Sequence, residues 1–327
     1  MKRYYRLIFI LSVFLIFVTG CATAIPTTFT APTDTPAPTP SNIEQPTTAP
    51  AAFPLTLTDD LGRQVTVKAE PKRIVSLLPS NTEILFAVGA GEQVVGVTSF
   101  CNYPEAATKK EQVGGITVKS LSLEKIVALQ PDVVLASGSQ QEIIPALDKA
   151  GLTVIALEPA TFDDIFANIE LVGRVAGHID QAQSLTSQLR QRVAAVKAKV
   201  DALPADQRPT VFYEVWHDPL MTAGPDTFIG QLITLAGGKN IFDDVAEDWP
   251  QVSAETIVQR NPAVILGPSN HLDELTTTKI SARPGWSNIA AVKNNRIYIL
   301  DGDMVSRPGP RIVDMLEQAE RDLYNDR

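Results

Sequence analysis

The chain has 327 residues, a formal charge of −9, three histidines and two cysteines. That length exceeds one average domain, so one large domain or two lobes is expected. The acidic balance speaks against a general nucleic-acid binder, two cysteines cannot staple a disulfide mini-protein or build a four-thiolate zinc site, and three scattered histidines do not suggest a metal cluster.

Lys2, Arg3 and Arg6 precede a 13-residue apolar run from Leu7 to Thr19. The run is short for a membrane span and right for the core of an export signal. It ends in Val18-Thr19-Gly20-Cys21, which is similar to the bacterial lipobox. Residues 1–20 are therefore read as a lipoprotein signal and Cys21 as the lipidated mature N-terminus. An ordinary secretory signal with a chance cysteine is the alternative. Loss of residues 1–20 removes three basic groups and no acidic one, so the charge falls to −12.

Residues 22–54 hold eight Pro and nine Thr, with only Asp34 and Glu44 charged. Such a segment cannot bury enough apolar surface to offset chain entropy, and Pro favours extended geometry. Residues 21–54 read as a tether that holds a folded body near a membrane, outside the cytoplasm. Cys101, the remaining thiol, reads as a small buried hydrophobe.

The folded body begins near residue 55. Pro54–Thr58 and Gln64–Lys68 flank Asp59-Asp60-Leu61-Gly62, a hairpin by alternation and turn chemistry. Arg73–Leu78 is a buried strand. Ser80-Asn81-Thr82-Glu83 matches a capping box ahead of an apolar helix stopped by Gly89. Val94–Val97 is a strand, Ile126–Leu129 lies on a short helix, Val133–Leu135 is a strand, 141–150 a helix and 152–157 a strand. Residues 161–203 lack Pro and carry apolar residues at helical spacing, with a bend near Gly177-His178. The second of these helices, about 180–202, spans about 30 Å. Alternation then resumes: strand 209–216, helices 227–236 and 254–260, strands 263–267 and 296–300, helix 309–325. Strands alternating with helices imply parallel sheets with helices on their faces.

Ser122-Leu-Glu124-Lys-Ile126-Val127-Ala-Leu-Gln-Pro131-Asp-Val133-Val-Leu135 recurs 131 residues later as Ser253-Ala-Glu255-Thr-Ile257-Val258-Gln-Arg-Asn-Pro262-Ala-Val264-Ile-Leu266, with seven matches and no gap. Each copy reads as cap, Glu in the first turn, short helix, Pro, strand. Glu near a helix N-terminus is favourable on dipole grounds alone. The same unit once in each half, around a long helix, points to two related lobes. Two lobes make a cleft, and clefts hold ligands. The expected fold is α/β: two Rossmann-like lobes with parallel sheets joined by one long rigid helix. The boundaries are 55–178, 179–203 for the connecting helix, and 204–327.

Arg73–Glu83, Asn102-Tyr103-Pro104, Ser122–Asp132, Trp249–Ser253 and Arg307-Pro-Gly-Pro-Arg311 carry a family likeness. With them the body, about residues 55–325, resembles the periplasmic-binding-protein class that serves vitamin B12, ferric siderophore and haem ABC importers. Within it the cobalamin-binding branch matches best. The resemblance implies little hinge motion and a Glu at the top of each lobe that docks on Arg residues of the permease. Those positions fall on Glu124 and Glu255. It also implies cleft-lining segments at Pro79, Ser80, Asn81, Phe100, Met221, Trp249, Asp303 and Arg307.

A corrinoid is a large, mostly apolar macrocycle fringed with amides, so it needs broad side chains and a few polar groups. Phe100, Trp216, Met221 and Trp249 can supply faces; Asn81, Asp303 and Arg307 can reach amides. Asp303 and Arg307 could equally form structural ion pairs, and Trp216 could point into the C-terminal lobe. The branch can carry two further Trp on its N-terminal lobe. Gly114–Ser120 and Ala136-Ser137 have none, so a ferric siderophore or haem remains the alternative cargo. No Gly-x-Ser-x-Gly elbow or phosphate loop supports an enzyme, and no cofactor or metal site is expected. The expected partners are an ABC permease dimer with its ATPase subunits and, through Cys21, the membrane; the chain itself is read as a monomer.

Overall fold

The computed structural model describes residues 52–269 and 275–324. The signal, Cys21 and the tether as far as residue 51 lie outside the described residues.

β1 (Leu55–Thr58) and β2 (Gln64–Val67) form the expected antiparallel hairpin. β3 (Ile74–Ser76), α1 (Pro79–Ala87), β4 (Val94–Val97), β5 (Glu111–Gln112), α2 (Leu123–Ala128), β6 (Val133–Ala136), α3 (Ile144–Lys149) and β7 (Val154–Ala156) follow. Their strands make an all-parallel sheet in the order β5-β4-β3-β6-β7. Two long helices come next, α4 (Phe162–Ala176) and α5 (Ile179–Asp201). Beyond them lie β8 (Thr210–Tyr213), a small ribbon of β9 (Trp216–His217) and β10 (Leu220–Met221), α6 (Phe228–Leu235), β11 (Lys239–Asn240), α7 (Ala254–Arg260) and β12 (Val264–Pro268). The described chain closes with α8 (Thr277–Ser281), α9 (Ala290–Lys293), β13 (Ile297–Leu300), α10 (Gly302–Val305) and α11 (Ile312–Tyr324). The second sheet is also all parallel, in the order β11-β8-β12-β13.

The repeated unit behaves alike in both copies. Ser122 caps α2 by accepting from the Lys125 N–H, and Ser253 caps α7 by accepting from the Thr256 N–H. Gln130 and Asn261 occupy equivalent places after the helices and both take left-handed φ, 45° and 46°. β6 and β12 then enter the interior of their sheets. Val133 and Leu135 face one apolar core, and so do their counterparts Val264 and Leu266. Val134 and Ile265, on the opposite strand faces, enter two separate outer cores. The matched strand residues therefore line a single core shared by both halves, while the matched helix residues Ile126 and Ile257 enter the two outer ones.

α4 and α5 run through that shared core. Thr161 caps α4, its hydroxyl accepting from the Asp164 N–H while Asp164 accepts in return. Gly177 ends it at φ +80°, a conformation that favours glycine, and this produces the expected bend. α4 packs on α1 of the first half; α5 packs on α6 and α11 of the second. The crossing is thus a bent pair of helices, the longer of which spans about 34 Å. Arg192 of α5 fastens it to α11, bonding Glu317 at 2.9 and 2.8 Å and Asp314 at 2.6 Å.

Two local expectations fail. Ser80 and Glu83 do not form a capping box: Leu78 is the N-cap and Pro79 takes the first helical position, where its fixed φ and missing N–H fit. Glu83, 3% exposed, is instead an inter-half ion-pair partner. Arg311 donates to it at 2.8 and 2.6 Å and Arg307 at 3.0 Å. The helix read over 141–150 starts as a 3-10 turn at Gly138 and becomes α-helical only at Ile144.

Removing one partner of a buried pair leaves charge uncompensated, so Glu83→Ala should cost about 3–5 kcal/mol in denaturant unfolding; a loss under about 1 kcal/mol would contradict the pairing. Glu317 offers a pH test. Hydrogen bonding from Arg192, against the opposing effect of burial, holds its carboxyl below the ordinary value. Its contribution to stability is complete above the ordinary 4.5 and is lost as pH falls through the lowered value. Glu317→Gln should therefore flatten the acid limb of a stability–pH curve, and an unchanged limb would refute this.

Candidate functional site

The segments that leave the carboxyl ends of the parallel strands converge on one groove. They are Leu78–Ser80 after β3, Ser137 and Ser139 after β6, Leu157–Ala160 after β7, Val215 after β8, Ser269 after β12 and residues 302–308 after β13. In both sheets the strand order reverses there, between β3 and β6 and between β8 and β12. Open parallel sheets bind ligands at that position, because the loops diverge and leave a crevice. The groove consists of two cavities of about 550 and 710 Å³ with Leu78, Ser80, Val215 and Pro308 in both walls.

The smaller cavity is walled by Tyr213, Met221, Phe228 and Trp249. Trp249 stands 40% exposed, held edge-on by Phe228 at 6.0 Å. The larger is walled by Pro79, Phe100, Trp216, Asp303 and Arg307. Phe100 is 48% exposed and Trp216 37%. The Trp216 indole N–H donates to the Asp218 carbonyl at 2.8 Å and the ring lies beside His217 at 5.3 Å. Its hydrogen bond is satisfied internally while part of its surface stays accessible. Trp216 therefore stands on the groove wall and not inside the second half.

Pro79, Ser80, Phe100, Trp216, Met221, Trp249, Asp303 and Arg307 are thus brought together. Asn81 is not. It is 2% exposed and donates its side-chain amide to the Ala136 carbonyl at 3.0 Å, tying α1 to the end of β6 beneath the wall. Arg307 belongs to the wall and is also an ion-pair partner. Its guanidinium bonds Glu83, Asn102 at 2.7 Å, Asp303 at 2.5 Å and the Phe100 carbonyl at 3.3 Å. Asn102 in turn donates to Asp303 at 2.7 Å. Beside it, burial works against the Arg311 charge, but hydrogen bonding and charge from Glu83 outweigh it and raise its pKa.

Three features are not apparent from the sequence. Tyr213, 2% exposed, places its side chain on the wall of the smaller cavity, and its hydroxyl makes no hydrogen bond among the described residues. Burial pushes that hydroxyl far above its usual pKa, so it stays protonated. Phe228 backs Trp249. Glu158, Asp226 and Asp248 are the charged residues of the same cavity wall among the described residues. The one signal for Tyr213 is a polar tip at the carboxyl end of the apolar strand Val211-Phe212-Tyr213.

Glu124 and Glu255 are exposed in the first turns of α2 and α7, with no ion-pair partner among the described residues. Cys101 is buried beside the Thr82 and Thr98 hydroxyls, each 3.2 Å from its sulfur. No group of three or more His, Cys, Asp or Glu among the described residues is placed to hold a metal ion.

Residues 74–304 match the family model described as periplasmic binding protein. An uncharacterized ABC transporter substrate-binding lipoprotein of Bacillus subtilis, YvrC, is 37% identical over 280 residues, covering 84% of this chain and 87% of that protein. A cobalamin-binding protein of Halobacterium salinarum is 31% identical, covering 94% of this chain and 85% of its own. Among solved structures, a possible iron-binding (periplasmic solute-binding) protein of Staphylococcus epidermidis is 33% identical with a TM-score of 0.69, covering 78% of this chain and 100% of its own. The periplasmic vitamin B12 binding protein of Vibrio cholerae is 28% identical with a TM-score of 0.67, covering 78% and 97%. A periplasmic heme-binding protein from Roseiflexus is 27% identical with a TM-score of 0.70, covering 78% and 98%. With a two-sheet fold, a groove at the strand ends and a match over most of its length, the chain belongs to the periplasmic binding protein family, whose members are binding proteins and not enzymes.

Proposed function

We propose that the chain is the extracytoplasmic substrate-binding protein of an ABC importer. It captures a corrinoid, cobalamin or a close relative, and delivers it to a permease dimer driven by ATPase subunits. The corrinoid travels as cargo and is not a cofactor. The observation that carries the reading is the groove itself. Accessible aromatic faces from both halves, Phe100 from the first and Trp216 and Trp249 from the second, line a space of several hundred Å³ edged with amide-compatible polar groups. A flat apolar macrocycle with a polar fringe suits such walls. The names of the Halobacterium and Vibrio relatives support the same cargo. Porphyrins are also flat, and the Roseiflexus relative keeps haem or a ferric siderophore as the second reading.

In this reading Cys21 carries the lipid and residues 22–54 the tether. The name of the Bacillus relative agrees, and no helix of the described residues is long and apolar enough to cross a membrane. Residues 55–178 and 204–327 act as the lobes with 179–203 joining them, and one copy of the chain suffices. Glu124 and Glu255 present carboxylates with no ion-pair partner among the described residues, in equivalent places, as docking points for permease arginines. Exposed charges of this kind set partner choice and register more than raw affinity.

Cyanocobalamin titrated into residues 55–327 should quench tryptophan fluorescence and bind with a Kd of about 1 µM or below. Trp216 and Trp249 supply the signal, since Trp286 is fully buried. Clear binding of haem or a ferric siderophore with none of any corrinoid would remove the cobalamin assignment and leave the transport one. Changing Glu124 and Glu255 together to Ala should leave ligand affinity intact and weaken co-purification with the reconstituted permease. Loss of ligand affinity instead would show that these residues belong elsewhere in the mechanism.

A further inference from the structure

We propose that the Tyr213 cavity selects its ligand by charge, admitting neutral or cationic molecules with hydrogen-bonding amide edges and rejecting carboxylate-bearing ones, with the Tyr213 hydroxyl bonded to the ligand. This rests on reading the groove as the cargo site and adds the class of cargo.

Two independent observations carry it. The first is Tyr213, a buried residue on the wall of the smaller cavity whose hydroxyl has no hydrogen-bond partner among the described residues. A ligand group that bonds this hydroxyl gains affinity where its geometry is at least as good as that of the solvent it displaces. Burial keeps the phenol protonated, so it can donate to an amide carbonyl or accept from an amide N–H. An anionic ligand would gain the donor but would still meet the second feature.

That feature is the sign of the wall. Glu158, Asp226 and Asp248 line the same cavity, and among the described residues no Lys, Arg or His lines it. Glu158 is held in place by the Gly138 N–H at 2.8 Å. The adjoining cavity holds Arg307, but its guanidinium is already engaged by Glu83, Asn102, Asp303 and the Phe100 carbonyl. It is therefore not an open receptor for a carboxylate or phosphate. The three carboxylates are exposed, so their repulsion of an anion is screened by salt and strongest at low ionic strength; the wall discriminates through that unfavourable contact as well as a favourable one with N–H donors. Corrins fringed with amides and cationic ferric hydroxamates meet the requirement. Haem, with two propionates, does not.

The test uses the full chain in detergent and isothermal titration with four probes: cyanocobalamin, a cyanocobalamin monocarboxylate with one side-chain amide hydrolysed, haem, and cationic ferrioxamine B. Cyanocobalamin should bind at least about tenfold more tightly than the monocarboxylate. Tyr213→Phe should weaken cyanocobalamin by roughly threefold to tenfold while melting and near-UV dichroism stay those of the parent. The pair Asp226→Asn with Asp248→Asn should narrow the gap between amide and carboxylate ligands. Equal binding of the two corrins would overturn the proposal, as would haem binding more tightly than every neutral or cationic probe, or Tyr213→Phe binding like the parent. If ferrioxamine B binds, weakened by Tyr213→Phe, and no corrin does, the corrinoid reading fails and selection by charge stands. The ligand series on the unaltered chain decides the matter even if a variant does not fold.

Discussion

The Glu83 carboxylate is buried, and the two guanidinium groups that compensate it come from residues more than 220 positions away. A buried charge must be paired, so α1 and the chain between α10 and α11 have to meet wherever this protein is folded. Such a pair contributes little net stability against an apolar alternative. Its effect is to specify one arrangement of the two halves. That arrangement sets the groove, because Pro79 and Ser80 lie on the same helix as Glu83, and Asp303 and Arg307 lie in the facing segment. Arg307 links the two roles directly: one edge of its guanidinium holds Glu83, and the residue stands on the wall.

Behind this polar contact the two sheets share one apolar core. Val133, Leu135, Val264 and Leu266 face it from the repeated strands, and α4 and α5 thread through it. Relative motion of the halves would open that core to water, which costs about 25 cal/mol for each Å² exposed. A bent helix pair, a continuous core and a buried ion pair together favour a groove that is formed before the ligand arrives. Preformed sites lose less ordering entropy on binding, which suits a substrate-binding protein. The equivalence of the two halves also places Glu124 and Glu255 in the first turns of matching helices.

Much of this architecture is legible in the amino-acid sequence. The alternation of strands and helices, the bend at Gly177 and the repeat all rest on local periodicity, which the fold preserves. Eight of the nine candidate ligand residues reach the groove because they follow strand ends, where parallel sheets place their loops. The misread side chains have one cause. Glu83 reads as a capping residue because its neighbours suggest a cap, while its actual partners are distant in sequence. Asn81 reads as a ligand contact because it sits in the right segment, but helix geometry turns it to the Ala136 carbonyl. Tyr213 falls in the strand read over 209–216 and is buried; that its hydroxyl has no partner among the described residues depends on what β8 faces across the groove. Periodicity reports burial, and only the assembled walls report which polar groups face the groove.

The most direct test of the account is a crystal structure of the chain grown with cyanocobalamin. The account predicts the corrin between the two halves, against Trp216 and Trp249, with the Tyr213 hydroxyl about 3 Å from an amide of the ligand and the Glu83–Arg311 pair intact. A corrin bound away from the strand ends, or halves swung apart with Glu83 released from Arg311, would contradict it.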